Sequence, residues 1–260
     1  MFTTHGDTGP VYLTAPNISA AHAFTTRLGG VSAGVYASWD LGENRGDDPA
    51  AVRENYRLLK ETLGIRGGLV FSRQVHGDAI RVAAERDRRE PYEPLPYEAD
   101  GLITDVPGLP LIIFTADCVP VLLHDPVRGA VGAVHAGWRG AVADIAGKAV
   151  RMMADAFGCD PADVRAAIGP AIGPCCFETG PEVPAAVWAL LGSEERITPR
   201  GNDKYMVDLP GVVADTLAAA GLSRAHIENC GECTKCLHEK YWSHRYTAGI
   251  RGSQASVIML

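Results

Sequence analysis

Leu111-Ile-Ile-Phe114-Thr-Ala-Asp-Cys118-Val-Pro-Val-Leu-Leu123-His124-Asp125-Pro-Val-Arg-Gly129, followed by Ala130-Val-Gly-Ala-Val134-His135-Ala-Gly137-Trp138-Arg139-Gly140, is the stretch on which the fold turns. It holds three apolar, β-prone runs: 111–114, 119–123 and 130–134. The segment 125–129 has the composition of a turn. Short apolar runs bounded by turn residues read as buried strands. Cys118 and His135 then fall at strand ends, where a side chain is held rigidly beside a cleft. Residues 137–140 open an amphipathic helix, with Val142, Ile145, Ala149, Met152, Met153 and Ala156 at near-helical spacing.

A thiol and an imidazole at neighbouring strand ends suit two chemistries. One is a Cys nucleophile activated by a His base, as in a metal-free hydrolase. The other is a soft N/S metal site that still lacks a ligand or two. Upstream, Phe71-Ser-Arg-Gln-Val-His76-Gly77 has the same form, a short β-like run ending in His and Gly. That third group favours metal. His76, Cys118 and His135 would leave a fourth tetrahedral position for water or substrate, as catalytic rather than structural zinc sites do.

QVHGD (74–78), ADCVPVLLHDP (116–126), AVHAGWRG (133–140), AAIGPAIGPCCFETG (166–180) and Ser243-His-Arg245 together resemble the motifs of the laccase-domain (YfiH-type) family. The resemblance runs in order from about Phe24 to Leu260. That family was first called polyphenol oxidase and is now described as purine nucleoside phosphorylase with adenosine deaminase side activity. The resemblance implies one zinc per chain on His76, Cys118 and His135. It implies purine nucleoside and phosphate as ligands, and it places nucleoside-contacting groups in the loop 40–49, which contains Asn44. At position 40 the family commonly has Asn where this chain has Asp40. It also implies that the 169–178 loop and the Ser243–Arg245 run line the pocket.

The 260 residues, 47% of them hydrophobic, suffice for one large domain, and no linker or repeat divides them. We expect a single α/β domain of α+β type over 1–260, with layered mixed β-sheets flanked by helices. The formal charge of −7 argues against a nucleic-acid surface. A phosphate would therefore need a locally basic pocket, for which Arg27, Arg45, Arg53, Arg139 and Arg245 are available. Arg139, directly after the His135 motif, and Arg245 are the phosphate candidates. Arg27, beside the Gly29-Gly30 turn, is a further candidate for ligand contact, although a plain hairpin turn has the same composition. No apolar run is long enough to span a membrane. The N-terminal residues lack a secretory pattern, so the seven cysteines read as reduced thiols of a cytoplasmic protein.

Copper-dependent phenol oxidation, after the family's old name, is the alternative activity. Multicopper centres draw on many histidines, often as His-x-His pairs; this chain has eight histidines and no such pair. A partner-binding scaffold with relic catalytic residues would not need an intact His76, Cys118 and His135.

Elsewhere, residues 1–23 read as an edge strand pair. Asp48 and Pro49 read as the start of a helix whose apolar face is Val52, Tyr56, Leu59 and Leu63. Segments 69–75, 80–84, 163–168 and 205–209 read as strands, as does the closing run 255–260. Glu182–Leu191 and the stretch from Pro210 to Ala220 read as helices, the second capped by Asp208. Segments 85–98 and 196–204 read as solvated loops. Vicinal Cys175-Cys176 is discounted as a metal or disulfide motif because adjacent side chains diverge. Cys230, Cys233 and Cys236 form overlapping Cys-x-x-Cys pairs; no second Cys cluster is evident to complete a site, although His238 or His244 offers a further ligand, and they are expected as free thiols.

Overall fold

The computed structural model describes residues 1–95 and 97–260; within the 85–98 loop, position 96 lies outside the described residues. In chain order the strands are β1 (Thr3–His5), β2 (Tyr12–Thr14), β3 (Ala21–Thr25), β4 (Ile80–Val82), β5 (Gly101–Thr104), β6 (Leu111–Thr115), β7 (Val119–Asp125), β8 (Ala130–Ala136), β9 (Arg165–Ile168), β10 (Glu178–Thr179), β11 (Ile197–Gly201), β12 (Lys204–Val207), β13 (Ile227–Asn229) and β14 (Gln254–Met259). The helices are α1 (Pro49–Leu63), α2 (Trp138–Val142), α3 (Ile145–Phe157), α4 (Glu182–Leu191), α5 (Leu209–Ala219) and α6 (His244–Thr247).

The three runs of the decisive stretch are β6, β7 and β8, but they do not share one sheet. β6 closes an antiparallel five-stranded sheet of order β1-β2-β3-β14-β6. β7 and β8 lie at the centre of a mixed six-stranded sheet of order β13-β9-β7-β8-β5-β4. Ala116, Asp117 and Cys118 carry the chain from one sheet to the other. A small antiparallel sheet, β10-β12-β11, stands apart from both.

Side chains alternate between faces along a strand, and the core is partitioned accordingly. Leu111, Ile113 and Ile258 point toward Leu102, Leu122, Val131 and Ala133, filling the space between the two large sheets. Ile112, Ala255 and Val257 face the other way, onto Val52, Tyr56 and Leu59 of α1. Val121, Leu123 and Val134 face Ile145, Ala149 and Met153 of α3 and Val213 and Leu217 of α5. The layers therefore run helix, sheet, sheet, helices, in agreement with the α+β expectation.

Local signals operate as their chemistry requires. Asp48 accepts the Ala50 amide with Pro49 in the first turn of α1, and Asp208 accepts the Gly211 amide at α5. The helix expected after Gly137 is two helices. Asp144 takes a left-handed φ of 60° between them, and its side chain caps α3 through the Gly147 amide. The strand expected over 69–75 is reduced to isolated bridges. Here Gln74 replaces the ladder: its side-chain amide donates to the Phe114 carbonyl at 2.8 Å and accepts the Phe114 N–H at 2.7 Å. The segment read as a loop at 196–204 is a hairpin of β11 and β12, turned by Asn202 and Asp203, both at positive φ. Nor is the 85–98 segment wholly solvated, since Asp87 and Arg89 are buried. Among the described residues no helix is long and apolar enough to cross a membrane.

Candidate active site

The sheet-to-sheet crossing sets the site. Cys118 ends the crossing, just before β7. His135 sits on β8, opposite Pro120 in register and so beside Cys118. His76 does not end a strand, as expected from sequence, but lies in a loop in the left-handed region, φ 59°. The three ligand atoms lie within 4.8 Å of one another, and the two imidazole rings meet edge to face at 4.9 Å. Burial is graded: His135 is buried, Cys118 half-buried and His76 exposed, which leaves one side of the trio open to the cleft.

Asp100, just before β5, organises both histidines and carries no signal of its own in the sequence. Its Oδ1 pairs with His135 Nδ1 at 2.7 Å and accepts the His76 backbone N–H at 3.0 Å. Its Oδ2 accepts the backbone N–H groups of Gly77 at 2.8 Å and Val75 at 3.2 Å. Its carbonyl accepts the His135 backbone N–H. A carboxylate on Nδ1 fixes the tautomer that turns Nε2 toward a metal, a common support for zinc-bound histidine. Burial opposes ionisation of Asp100, but the His135 ring and the amides outweigh it and hold the carboxyl below its usual range. Burial likewise opposes ionisation of Cys118, yet the neighbouring His135 and His76 rings bring the thiol down to about 6. Burial opposes charge on the His135 ring, but Cys118 and Asp100 hold it up to about 9, so a soft divalent cation bound here would take the thiolate and displace the ring proton.

Gly137 completes the enclosure. A Cβ there would stand 2.9 Å from His76 Cδ2 and 3.5 Å from Cys118 Sγ, so any larger residue would displace the His76 ring.

The trio lies in a cleft of about 630 Å³ between the ends of the two large sheets. Phe71, Leu95, Phe114, Ile172 and Phe177 form apolar walls. Leu95 comes from the 85–98 segment, so that segment has a place in the cleft that its composition did not suggest. Arg45, Arg73, Arg245 and Arg251 bring positive charge, and His244 adds an imidazole whose pKa burial and the nearby arginines lower. Asn44 and Arg245 from the sequence reading therefore line the cleft. Arg27 and Arg139 do not. Arg27 donates to the carbonyls of Ala37 and His238 and lies 4.0 Å over Trp242. Arg139 is exposed on α2 and stacks on Trp138. Adjacency to a motif did not predict side-chain direction. Arg251, which follows α6, was missed. Its Nε is buried without a partner, and its guanidinium otherwise donates to the Gly252 carbonyl and Ser253 Oγ.

Asp117 ties the cleft wall together. It holds an unusual φ of 91°, a kind of backbone strain that gathers at functional sites. Its Oδ1 accepts Thr234 Oγ1–H at 2.6 Å, its Oδ2 accepts the Arg245 N–H at 2.6 Å, and its carbonyl accepts the Ile172 N–H. Ser243 is buried and spends its hydroxyl capping α6, so of the Ser-His-Arg run only His244 and Arg245 face the cleft.

A second group corrects the sequence reading. Cys175, Cys176, Cys233 and Cys236 place their sulfurs within 4.8 Å of one another, so the tail cysteines do have a second cluster to meet. Cys230 is not part of it.

Residues 21–260 match the family model described as multi-copper polyphenol oxidoreductase laccase. A purine nucleoside phosphorylase of Deinococcus radiodurans is 39% identical over 250 residues, covering 95% of this chain and 92% of the relative. The purine nucleoside phosphorylase YfiH of Escherichia coli is 35% identical, covering 91% and 92%. Among solved structures, the hypothetical protein YfiH of Bacillus licheniformis and YlmD of Geobacillus stearothermophilus each superpose with a TM-score of 0.93. Each is 33% identical and covers 99% of this chain and 98% of the other. With the family model spanning 240 residues and relatives matched along nearly their full length, the chain belongs to the laccase-domain family of YfiH and YlmD.

Proposed function

We propose that this cleft catalyses phosphorolysis of purine nucleosides, with zinc on His76, Cys118 and His135. The observation that carries the reading is one juxtaposition: an N₂S donor set opens into the same cleft as Arg45, Arg245 and Arg251. The names of the relatives point the same way.

The reaction forms a bond from a phosphate oxygen to the anomeric carbon and breaks the carbon–nitrogen bond to the purine. The electron pair leaves with the base, which takes up a proton. The chain's own groups suit these demands. Guanidinium forks hold phosphate through paired, charge-assisted hydrogen bonds. Phe114, backed by the buried Phe71, offers apolar surface to a purine. His244, whose pKa is lowered by burial and by the nearby Arg251, is a proton-transfer group at the cleft wall. Zinc, when bound, supplies Lewis-acid stabilisation of developing negative charge. Asp100 keeps the two histidines oriented for it.

Deamination of adenosine is the proposed side activity. It needs water at C6 rather than phosphate at the sugar, and so draws on the donor set without the arginines. Phenol oxidation by copper, which the family description names, has less support, because outside the trio only His244 among the histidines lines the cleft. The test is incubation of metal-quantified protein with adenosine or inosine, with and without phosphate, followed by chromatography. Phosphate-dependent release of free base with ribose-1-phosphate is expected. Release independent of phosphate, or no turnover beside metal-dependent phenol oxidation, would overturn the reading.

A further inference from the structure

Cys175 and Cys176 lie in the loop after β9; Cys233 and Cys236 lie in the turn after β13. The two segments run side by side. Ala171 and Cys233 form a parallel bridge, the Thr234 N–H donates to the Ala171 carbonyl at 3.0 Å, and the Ala171 N–H donates to the Glu232 carbonyl at 3.3 Å. This pairing brings four thiols together from positions about sixty residues apart. Cys236 Sγ lies 3.6 Å from Cys175 Sγ and 3.5 Å from Cys176 Sγ. These separations are too long for a disulfide, whose sulfurs lie at about 2.05 Å. They match a tetrahedral tetrathiolate, where zinc–sulfur bonds near 2.3 Å set the sulfurs roughly 3.8 Å apart. The vicinal pair does not diverge: both sulfurs reach Cys236. A backbone amide is also aimed at the cluster, the Gly173 N–H donating to Cys233 Sγ at 3.3 Å. Amide donors of this kind stabilise charged sulfur.

We infer that Cys175, Cys176, Cys233 and Cys236 bind a second zinc ion in a closed, structural tetrathiolate site, separate from the cleft trio. Four protein ligands leave no open position, so this metal has no role in the chemistry. Its place in the fold says what it holds. The loop it pins supplies Ile172 and Phe177 to the cleft wall, and the Cys176 and Glu178 carbonyls accept from Arg245. The turn it pins supplies Thr234 to Asp117. A cross-link here fixes two loops that carry little regular structure of their own.

The test is metal stoichiometry of protein made in zinc-replete medium and purified under mild reductant. Wild type is expected to hold about two zinc ions per chain. Cys118→Ala is expected to keep one and Cys236→Ser to keep one. Cobalt substitution of Cys118→Ala should give the intense sulfur-to-cobalt charge-transfer bands of a tetrathiolate, and the double variant with Cys236→Ser should lose them. Two findings that do not depend on whether Cys236→Ser folds would overturn the inference. One is a single zinc per chain that Cys118→Ala abolishes. The other is a disulfide among the four cysteines in the wild type as purified under mild reductant, seen as a loss of two mass units together with no second zinc. Failure of Cys118→Ala to lose any zinc would count against the cleft site, not against this one.

Discussion

Asp100 Oδ1 lies 2.7 Å from His135 Nδ1 and accepts the backbone N–H of His76 at 3.0 Å, so one carboxylate oxygen orients one histidine by its ring and the other by its backbone. His76 holds a left-handed φ there without being glycine. The three amides donated to Asp100 from residues 75–77 stabilise that conformation. The candidate trio is thus assembled from a strand, a sheet crossing and a loop, with Asp100 as the common partner of its two histidines.

Asp100→Asn should weaken zinc binding roughly ten- to hundredfold, the usual effect of losing a supporting carboxylate behind a metal-bound histidine. Each Asp100 oxygen accepts two donors, so the NH2 of asparagine turns two contacts repulsive. Zinc affinity measured by competition with a chelator checks this. Unchanged affinity would mean that the ring of His135 is held by packing alone.

Gly137→Ala places a methyl 2.9 Å from His76 Cδ2. Glycine at this position has an ordinary φ of −65°, so alanine costs little in backbone conformation. The exposed His76 ring must give way. Zinc affinity and turnover should fall together while the melting temperature of the metal-free protein moves little. A large loss of stability in the metal-free protein would show that Gly137 serves the fold rather than the trio.

The legible parts of this molecule were those written locally. β6, β7 and β8 are apolar runs bounded by turn residues, and Asp48-Pro49 is a helix start in five letters or fewer. Cys118 and His135 were legible because strand pairing sets them beside each other. Asp100 was not, since an aspartate between two strands looks like any turn aspartate until its partners arrive from 23 to 35 positions away. The same holds for the thiol cluster, whose halves, about sixty residues apart, are brought together by the pairing of β9 with β13 and the bridge of Ala171 to Cys233. Side-chain direction was also hidden: Arg139 follows the His135 motif immediately but leans on Trp138, whereas Arg251, in a plain Gly-Ile-Arg-Gly run, lines the cleft.

Arg245→Ala should lower phosphate-dependent release of base by roughly ten- to hundredfold, the loss of one charge-assisted contact of about 1.5–3 kcal/mol. Adenosine deamination should fall less, because it uses no phosphate. Arg245→Lys should rescue only in part, since a point charge cannot reproduce paired contacts. Arg245 also donates to the Glu178 carbonyl at 3.0 Å, so the two activities must be read on the same preparation. Equal loss of both would assign Arg245 to the nucleoside or to the cleft wall, and the phosphate role would move to Arg45 or Arg251.

Asp40 makes the fold's stability depend on pH. It is fully buried; Oδ1 accepts the N–H groups of Gly42 and Ser253, at 2.7 and 2.8 Å, and Oδ2 is buried with no partner. Burial pushes its carboxyl up to about 6, the two amides opposing in part. A carboxyl whose folded value exceeds its unfolded one favours the fold most when protonated. That contribution is complete below about pH 4 and is lost as pH rises through about 6. Asp40→Asn keeps an oxygen for the two amides and removes the charge. It should therefore match wild type in stability near pH 4 and exceed it at pH 8. The gain is bounded by the shift at roughly 1.4 kcal/mol per unit, on the order of 2–3 kcal/mol. Urea unfolding of both proteins from pH 4 to 8 checks the sign. A difference independent of pH would mean that Asp40 is held ionised across the range, with Arg251 neutralising it from the cleft side.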